Sequence, residues 1–435
     1  MVRPEESIPS MVAAPGCLRE SAFSKADPAG ATGGPFRGGD RGVTLVRVQG
    51  QLNEAEAVRT MSEHSTIRTT LAVLAALLAA TSSPALAADG PPAKVFVGYL
   101  FGQPREVHFK LYTHLCHAFL VADAEGVVRK TPGVPNRALA DQAHRAGVKM
   151  LLSLGGWGWD EQFASIVSKP EAEDRYAGEV LRLIDEADYD GLDLDWEYPD
   201  TAAEVAGFER LTRRLRKALD ALGAKKGRPM ALTMAASSNP GTLRWLDTAF
   251  VLETMDWINV MTYDYAGDWT DHAGHHSPLF ASSKRPRNAA RSTEATMNFL
   301  LTERHLPADR LAVGIPLYGR GFGVAEPYAP TKGVPKVRIP RGDYSNLRKL
   351  RDEQGWTRLW DDETKNPWLL APDRSMVIGY DDEESVALKT SWAMGKGFRG
   401  VFFWQINADR LPDGSNPLQE ASHRRWAEVP VRPAP

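Results

Sequence analysis

The sequence predicts an α/β fold: a closed (β/α)8 TIM barrel with a small inserted subdomain between its seventh and eighth strands. Three observations carry this expectation. From Lys94 onward, short β-branched or apolar runs alternate with longer stretches whose apolar residues recur three and four apart, as a parallel sheet with crossover helices requires. The strand-like runs number eight, enough to close a barrel. Between the seventh and eighth, residues 323–376 are too many for an ordinary βα loop and carry Tyr328, Tyr344, Trp356, Trp360 and Trp368 among Pro and Gly, so they must fold into something of their own.

In chain order the strands are expected at Val95–Leu100, His114–Phe119, Lys149–Ser153, Gly191–Trp196, Met230–Ala236, Trp257–Thr262, Leu311–Leu317 and Gly400–Trp404. Each is short and apolar and stands next to a segment of helical period. The helix candidates include Asn136–Ala146, Ala172–Ala187, Ala202–Leu222 and Thr293–Leu301, each carrying apolar residues three and four apart. A last helix after Trp404 should contain Trp426. No internal repeat or low-complexity tract follows residue 90.

Composition narrows the class. With 43% hydrophobic and 25% charged residues, the 435-residue chain is neither disordered, collagenous nor membrane-embedded. Its net charge of -3 argues against nucleic acid, whose phosphates call for an excess of Lys and Arg. Cys17 and Cys116 are the only cysteines, too few for a disulfide framework. Leu71–Ala80 reads LAVLAALLAA behind Arg68 and is followed by Ala85-Leu86-Ala87, which is the apolar run and small-residue cleavage site of a secretory signal peptide. The run is about half the length needed to span a bilayer, so no permanent membrane anchor is expected. Residues 1–60 have neither apolar period nor targeting logic. They are read as a non-native or disordered extension ahead of a start at Met61, with the signal at 61–87 and the barrel at 88–435.

The most informative stretch is Asp190-Gly191-Leu192-Asp193-Leu194-Asp195-Trp196-Glu197. Side chains alternate along a strand, so Asp193, Asp195 and Glu197 share one face and Leu192, Leu194 and Trp196 the other. If the apolar set meets the helices, the acids point into the packed lumen, where an isolated charge is costly. Carboxylates about 7 Å apart repel by roughly 2.4 kcal/mol at an effective dielectric near 20, nearly two pKa units. The row must therefore hold a proton near neutral pH. Glu197, at the C-terminal end of the strand and hence at the barrel mouth, is best placed to give it to a substrate as a general acid.

This strand resembles the signature of glycoside hydrolase family 18, the chitinases and their relatives, written Asp-x-x-Asp-x-Asp-x-Glu. Asp190, Asp193, Asp195 and Glu197 fill its four acidic positions. The resemblance extends through Ser153-Leu154-Gly155-Gly156-Trp157, Met261-Thr262-Tyr263-Asp264, Tyr318-Gly319-Arg320 and Trp404, and so covers Lys94 to Trp426. The insertion looks like a reduced version of the α+β insertion of many members. The resemblance implies a secreted enzyme that cleaves β-1,4 bonds of chitin or its oligosaccharides with retention, using the substrate's own 2-acetamido oxygen as nucleophile. Glu197 would be acid and then base, Asp195 would orient the acetamido N–H, Asp193 would share a proton or hydrogen bond beneath it, and the Tyr263 hydroxyl would support the acetamido group.

By the same resemblance Asp264 binds the sugar, and Trp404 forms the floor under the scissile residue. Trp157 is read as a stacking platform, with Tyr99, Phe119, Tyr318 and Met261 lining the pocket, although ordinary barrel packing also accounts for several of these aromatics. Arg320 is read either as a hydroxyl donor or as a structural salt-bridge partner. His272, His275 and His276 fit no common zinc spacing, and no cofactor or metal is expected. His117 should face away from Cys116, against a Cys-His nucleophile. A monomer is expected. Two other readings stay open: an N-glycan or peptidoglycan-type substrate, and a non-catalytic lectin, against which the intact Glu197 speaks. N-terminal sequencing of the secreted protein should give a mature start near Ala88, and retention of residues 1–60 would refute the assigned signal.

Overall fold

The computed structural model describes residues 94–102, 106–284, 291–337, 339 and 342–428; the signal assigned to 61–87 and the extension before it lie outside these. The strands are β1 (Val95–Phe101), β2 (His114–Ala122), β3 (Val128–Arg129), β4 (Lys149–Gly155), β5 (Gly191–Asp195), β6 (Ala231–Ala236), β7 (Trp257–Val260), β8 (Leu311–Pro316), β9 (Arg320–Phe322), β10 (Thr357–Asp361), β11 (Asn366–Leu370), β12 (Val377–Gly379) and β13 (Gly400–Trp404). Eight of them form a parallel sheet in the order β1-β13-β8-β7-β6-β5-β4-β2. Because β1 also pairs with β2, the sheet closes on itself as a (β/α)8 barrel. The eight expected strands are these eight, with ends shifted by three residues at most.

Alternation sorts the side chains as the pattern requires. Phe96, Leu100, Leu192 and Leu194 point outward into the large core shared with the helices, while Val95, Val97, Tyr99, Cys116, Leu151, Trp257 and Phe402 pack inside the barrel. Strand β5 begins at Gly191, where φ is +155°. A Cβ there would lie 2.0 Å from the Ala231 carbonyl oxygen, so only glycine lets the carboxylate strand pair this closely with β6. The register then sets Asp193 between Ser153 of β4 and Thr233 of β6.

The helices start and stop on local signals. Helix α1 (Arg137–Arg145) is capped by the Asn136 side chain, which accepts from Leu139 N at 3.0 Å. After α2 (Asp160–Ser168), α3 (Pro170–Ala187) opens on Pro170, a residue suited to a first turn. Helix α4 (Ala202–Lys226) has a reciprocal Thr201/Glu204 capping box and ends at Gly227 with φ +67°. The short α5 (Pro240–Leu243), α6 (Thr248–Thr254) and α7 (Thr293–Thr302) complete the series to β8. The terminal α10 (Pro417–Glu428) contains Trp426, which packs its ring edge against Phe96.

Between β8 and β13 the chain forms α8 (Tyr344–Glu353), α9 (Glu383–Gly395) and a four-stranded antiparallel sheet in the order β10-β11-β12-β9. That sheet reaches from Arg320 to Gly379, slightly beyond the expected 323–376, and falls within the same compact unit as the barrel. Trp368 is buried in it, whereas Trp356 and Trp360 are half-buried. Among the described residues, no helix is long and apolar enough to cross a membrane. Leu215, fully buried on the inward face of α4, offers a direct check of the helix-to-barrel core. Leu215→Ala should lower the unfolding free energy by about 2–5 kcal/mol in urea titrations without displacing any residue of the barrel mouth.

Candidate active site

Asp193 and Asp195 on the inner face of β5, and Glu197 two residues past its end, run upward from a dry floor to an open mouth. Asp193, wholly buried, is at the bottom. Its Oδ2 accepts from the Tyr99 hydroxyl at 2.9 Å and the Ser153 hydroxyl at 2.8 Å. Its Oδ1 accepts from the Thr233 hydroxyl at 2.6 Å and from Asn259 Nδ2 at 3.3 Å. Asn259 is itself fixed, since its amide also donates to Tyr99 and its Oδ1 accepts from Trp257 Nε1. Burial pushes the Asp193 pKa up while these four donors pull against it. Neighbouring strands thus supply donors to both oxygens of Asp193.

Asp195 is almost as deeply buried, yet among the described residues its Oδ1 has no hydrogen-bond partner. Burial, then the charges of Glu197 and Asp193, hold its carboxyl well above the usual range. Glu197 is only half-buried and keeps a face toward solvent. Burial raises its pKa to about 7, with the Tyr198 hydroxyl opposing and the Asp264 charge adding to the rise. Burial raises both carboxyls of the Asp195–Glu197 row, and for Asp195 the Glu197 charge adds to the rise, which favours a proton on this row.

Past the end of β7, Tyr263 and Asp264 stand opposite this row. Tyr263 is buried and packs against Tyr318 and Phe402, and no hydrogen bond of its hydroxyl is found among the described residues. Burial and the surrounding negative groups, Asp195 and Glu197 among them, push its pKa well above the ordinary value, so it remains a donor. Asp264 adopts a left-handed conformation at φ 58°. It accepts a bidentate pair from Arg320, 2.9 Å from Nε and 2.8 Å from a terminal nitrogen, and the Tyr318 hydroxyl at 2.8 Å. His276 Nδ1 lies 3.4 Å away. Burial alone would raise Asp264, but His276 and Arg320 outweigh it and hold the carboxyl far below its usual range. Arg320 is thus the salt-bridge partner of Asp264, the second of its two expected roles, and the Asp264 carboxylate is oriented by protein contacts alone.

The aromatics divide. Trp404 is half-buried at the end of β13, stacked on Phe119 at 5.5 Å and 24°, with Tyr99 and Phe101 edges beside it. Phe119 and Met261 are buried members of the inner cluster, and Tyr99 is committed to Asp193, so these three shape the floor from below. The backbone of Gly156 passes so near Phe119 that a Cβ would stand 2.5 Å from the ring. Trp157 beside it is 71% exposed, a free flat surface. Non-proline cis peptide bonds join Ala118 to Phe119, Glu197 to Tyr198 and Trp404 to Gln405.

Some residues named by the signature serve other ends. Asp190 faces outward and accepts from His144 Nε2 and Met150 N, both at 2.8 Å, so it ties β5 to α1 and β4 outside the lumen. His117 faces away from Cys116, with Nδ1 2.7 Å from the Tyr189 hydroxyl, and Cys116 is buried inside. His272 pairs with Asp271, while His275 packs on Trp368 at 4.2 Å. Residues that sequence reasoning passed over are Asn259 and Thr233, two of the four donors to Asp193, and Trp269, which is 48% exposed under the Arg320 guanidinium; His276, weighed there only as a metal ligand, instead flanks Asp264. Alternation along β6 and β7 would have placed Thr233 and Asn259 on the inner face. Nothing local marks Trp269.

A closed parallel barrel with a row of acids at its C-terminal mouth, faced by a tyrosine and exposed tryptophans, is the arrangement of a barrel glycosidase. Residues 95–409 match the model of glycosyl hydrolases family 18, and the chain belongs to that family. It is 31% identical over 338 residues to the class V chitinase of Arabidopsis thaliana, covering 74% of this chain and 86% of that protein. It is 30% identical over 285 residues to chitinase 1 of Aphanocladium album, covering 64% and 65%. The chain thus spans less than two thirds of the length of several curated relatives, and only 42% of chitinase A1 of Niallia circulans. Among solved structures, a family 18 N-acetylglucosaminidase from Paenibacillus barengoltzii superposes with a TM-score of 0.67 at 28% identity, covering 76% of this chain and 99% of that one. A mutant chitinase from Cycas revoluta in complex with (GlcNAc)4 gives the same TM-score at 26% identity, over 76% and 99%.

The electrostatics set a pH dependence. A carboxyl raised to about 7 in the fold and near 4.3 when unfolded binds more protons in the native state. Its contribution to stability is complete below the unfolded value and is lost as pH rises through about 7. Glu197→Gln should therefore flatten the decline in stability between pH 5 and 8 relative to the parent, as read by denaturant titrations at each pH. An unchanged slope would mean that Glu197 has an ordinary pKa.

Proposed function

We propose that the chain is a secreted, monomeric chitinase-like hydrolase that cleaves β-1,4 bonds beside N-acetylglucosamine by a retaining, substrate-assisted route. The observation that carries this reading is Glu197, half-open at the barrel mouth with its pKa raised to about 7, directly above a buried carboxyl oxygen of Asp195 that lacks a partner. The matched chitinases and the chitin-oligosaccharide complex of a similar fold support the substrate class.

The chain's own groups supply each step. The 2-acetamido carbonyl oxygen of the bound sugar attacks the anomeric carbon while the glycosidic bond breaks, and the Glu197 proton passes to the leaving oxygen. Asp195 Oδ1 takes the acetamido N–H, which raises the nucleophilicity of the carbonyl oxygen and balances the positive charge of the oxazolinium ion. The Tyr263 hydroxyl, held protonated by burial and the negative groups around it, donates to the same group. Water then attacks the anomeric carbon and gives its proton to Glu197 as the bond from that carbon to the acetamido oxygen breaks, so that the oxazolinium ring opens, the 2-acetamido group re-forms and the carboxyl returns to its starting state. Trp404 supplies the floor for the sugar ring and Trp157 a platform to one side. Secretion rests on the Leu71–Ala80 run and its cleavage pattern.

Digestion of chitin hexamer, an N-glycan and peptidoglycan side by side, with products identified by mass, should yield N-acetylglucosamine oligomers from the first. Products from one of the others alone would transfer the reaction to that substrate. Glu197→Gln should abolish nearly all turnover while retaining binding, and Tyr263→Phe should cost about 1–3 kcal/mol of barrier, roughly 5- to 150-fold in rate. Full activity in both variants would remove the mechanism.

A further inference from the structure

Lys389 of α9 and Asp381, just past β12, form an ion pair in which neither side chain has any exposure to solvent. Lys389 Nζ donates to both oxygens of Asp381 at 2.7 Å and to the Ser277 hydroxyl at 3.0 Å. It also donates to the Ser277 carbonyl. The Ser277 hydroxyl in turn donates to the carbonyl of Thr262 at 2.9 Å, and Thr262 is followed in the chain by Tyr263 and Asp264. On its other side, Ser277 adjoins His276, whose Nε2 lies 2.9 Å from the Tyr318 carbonyl and whose own carbonyl accepts from Tyr265 N at 2.9 Å. A buried charge pair is a weak means of stabilising a fold, since apolar side chains of similar volume commonly do as well. What an ammonium has and a leucine lacks is direction: its donors reach Asp381 and the loop after β7 at once.

We propose that Lys389 is a positioning residue for the reaction, acting through Ser277 to hold the Thr262–Asp264 segment so that Tyr263 and Asp264 face the Asp195–Glu197 row. This rests on the glycosidase reading of the site. The network bypasses the Arg320 clamp: Arg320 orients the carboxylate of Asp264 from the sheet, whereas Lys389 fixes the backbone from which both Tyr263 and Asp264 project. Asp381 is anchored independently by the Ser385 hydroxyl at 2.6 Å and Asn366 Nδ2 at 3.0 Å, so it forms a rigid base for the ammonium.

Paired replacement tests this cleanly. Lys389→Met alone strands a buried carboxylate, but Lys389→Met combined with Asp381→Leu removes both charges. The freed donors keep other acceptors: Ser385 has the Asp382 carbonyl, Asn366 the Tyr380 carbonyl and Ser277 the Thr262 carbonyl. The double variant should melt close to the parent yet lose about 10- to 100-fold in kcat on chitin tetramer at nearly unchanged KM, the scale expected of a misplacement of about 1 Å. Its crystal structure should show Tyr263 and Asp264 displaced. Ser277→Ala, which leaves the pair intact, should give a smaller loss in the same sense, and it decides the matter if the double variant fails to fold. Parental kcat in a folded variant, or Tyr263 and Asp264 unmoved in its crystal structure, overturns the proposal. A parent protein inactive on chitin oligomers would instead sink the functional reading, and the crystallographic comparison would still decide the positioning.

Discussion

The structure depends on three carboxyl groups being forced onto one face of a strand inside a closed barrel. Closure removes water from the lumen, and alternation leaves Asp193, Asp195 and Glu197 nowhere else to point. The fold resolves the resulting conflict by grading the surroundings along the strand. At the bottom, four donors from four strands surround Asp193. In the middle, Asp195 keeps one oxygen without a partner. At the top, Glu197 opens to solvent. Each charge-assisted hydrogen bond offsets about 1.5–3 kcal/mol of desolvation, so negative charge is best accommodated at the bottom and the proton is left to the upper pair.

The opposing wall works by the reverse principle. Asp264 is kept ionised by Arg320 and His276, and its fixed negative charge is one of the terms that raise Glu197. Two carboxyl groups near one cleft are thus driven in opposite directions by their environments, the usual means by which a site obtains both a proton donor and a permanent anion at one pH. Arg320 opens the antiparallel sheet between β8 and β13, and His276 lies on the loop after β7, so this wall exists only where the sheet meets the barrel. The surface ion pairs on α3 and α4, such as Arg182 with Glu179 and Glu186, are exposed and contribute little by comparison.

Much of this was readable in the chain. Short β-branched or apolar runs located all eight barrel strands, and helical spacing the helices at Arg137–Arg145, Pro170–Ala187, Ala202–Lys226 and Thr293–Thr302, because burial on both faces of a sheet or on one face of a helix imposes its pattern on local sequence. The same alternation set Asp193, Asp195 and Glu197 on one face and His117 opposite Cys116. Only the tertiary structure decided what each acid touches. Asn259 reaches Asp193 across 66 positions in the chain, Arg320 reaches Asp264 across 56, and Lys389 reaches Ser277 across 112. Periodicity reports which side of an element faces inward, but a hydrogen bond depends on the register between distant strands and loops, and that register is set when the barrel closes.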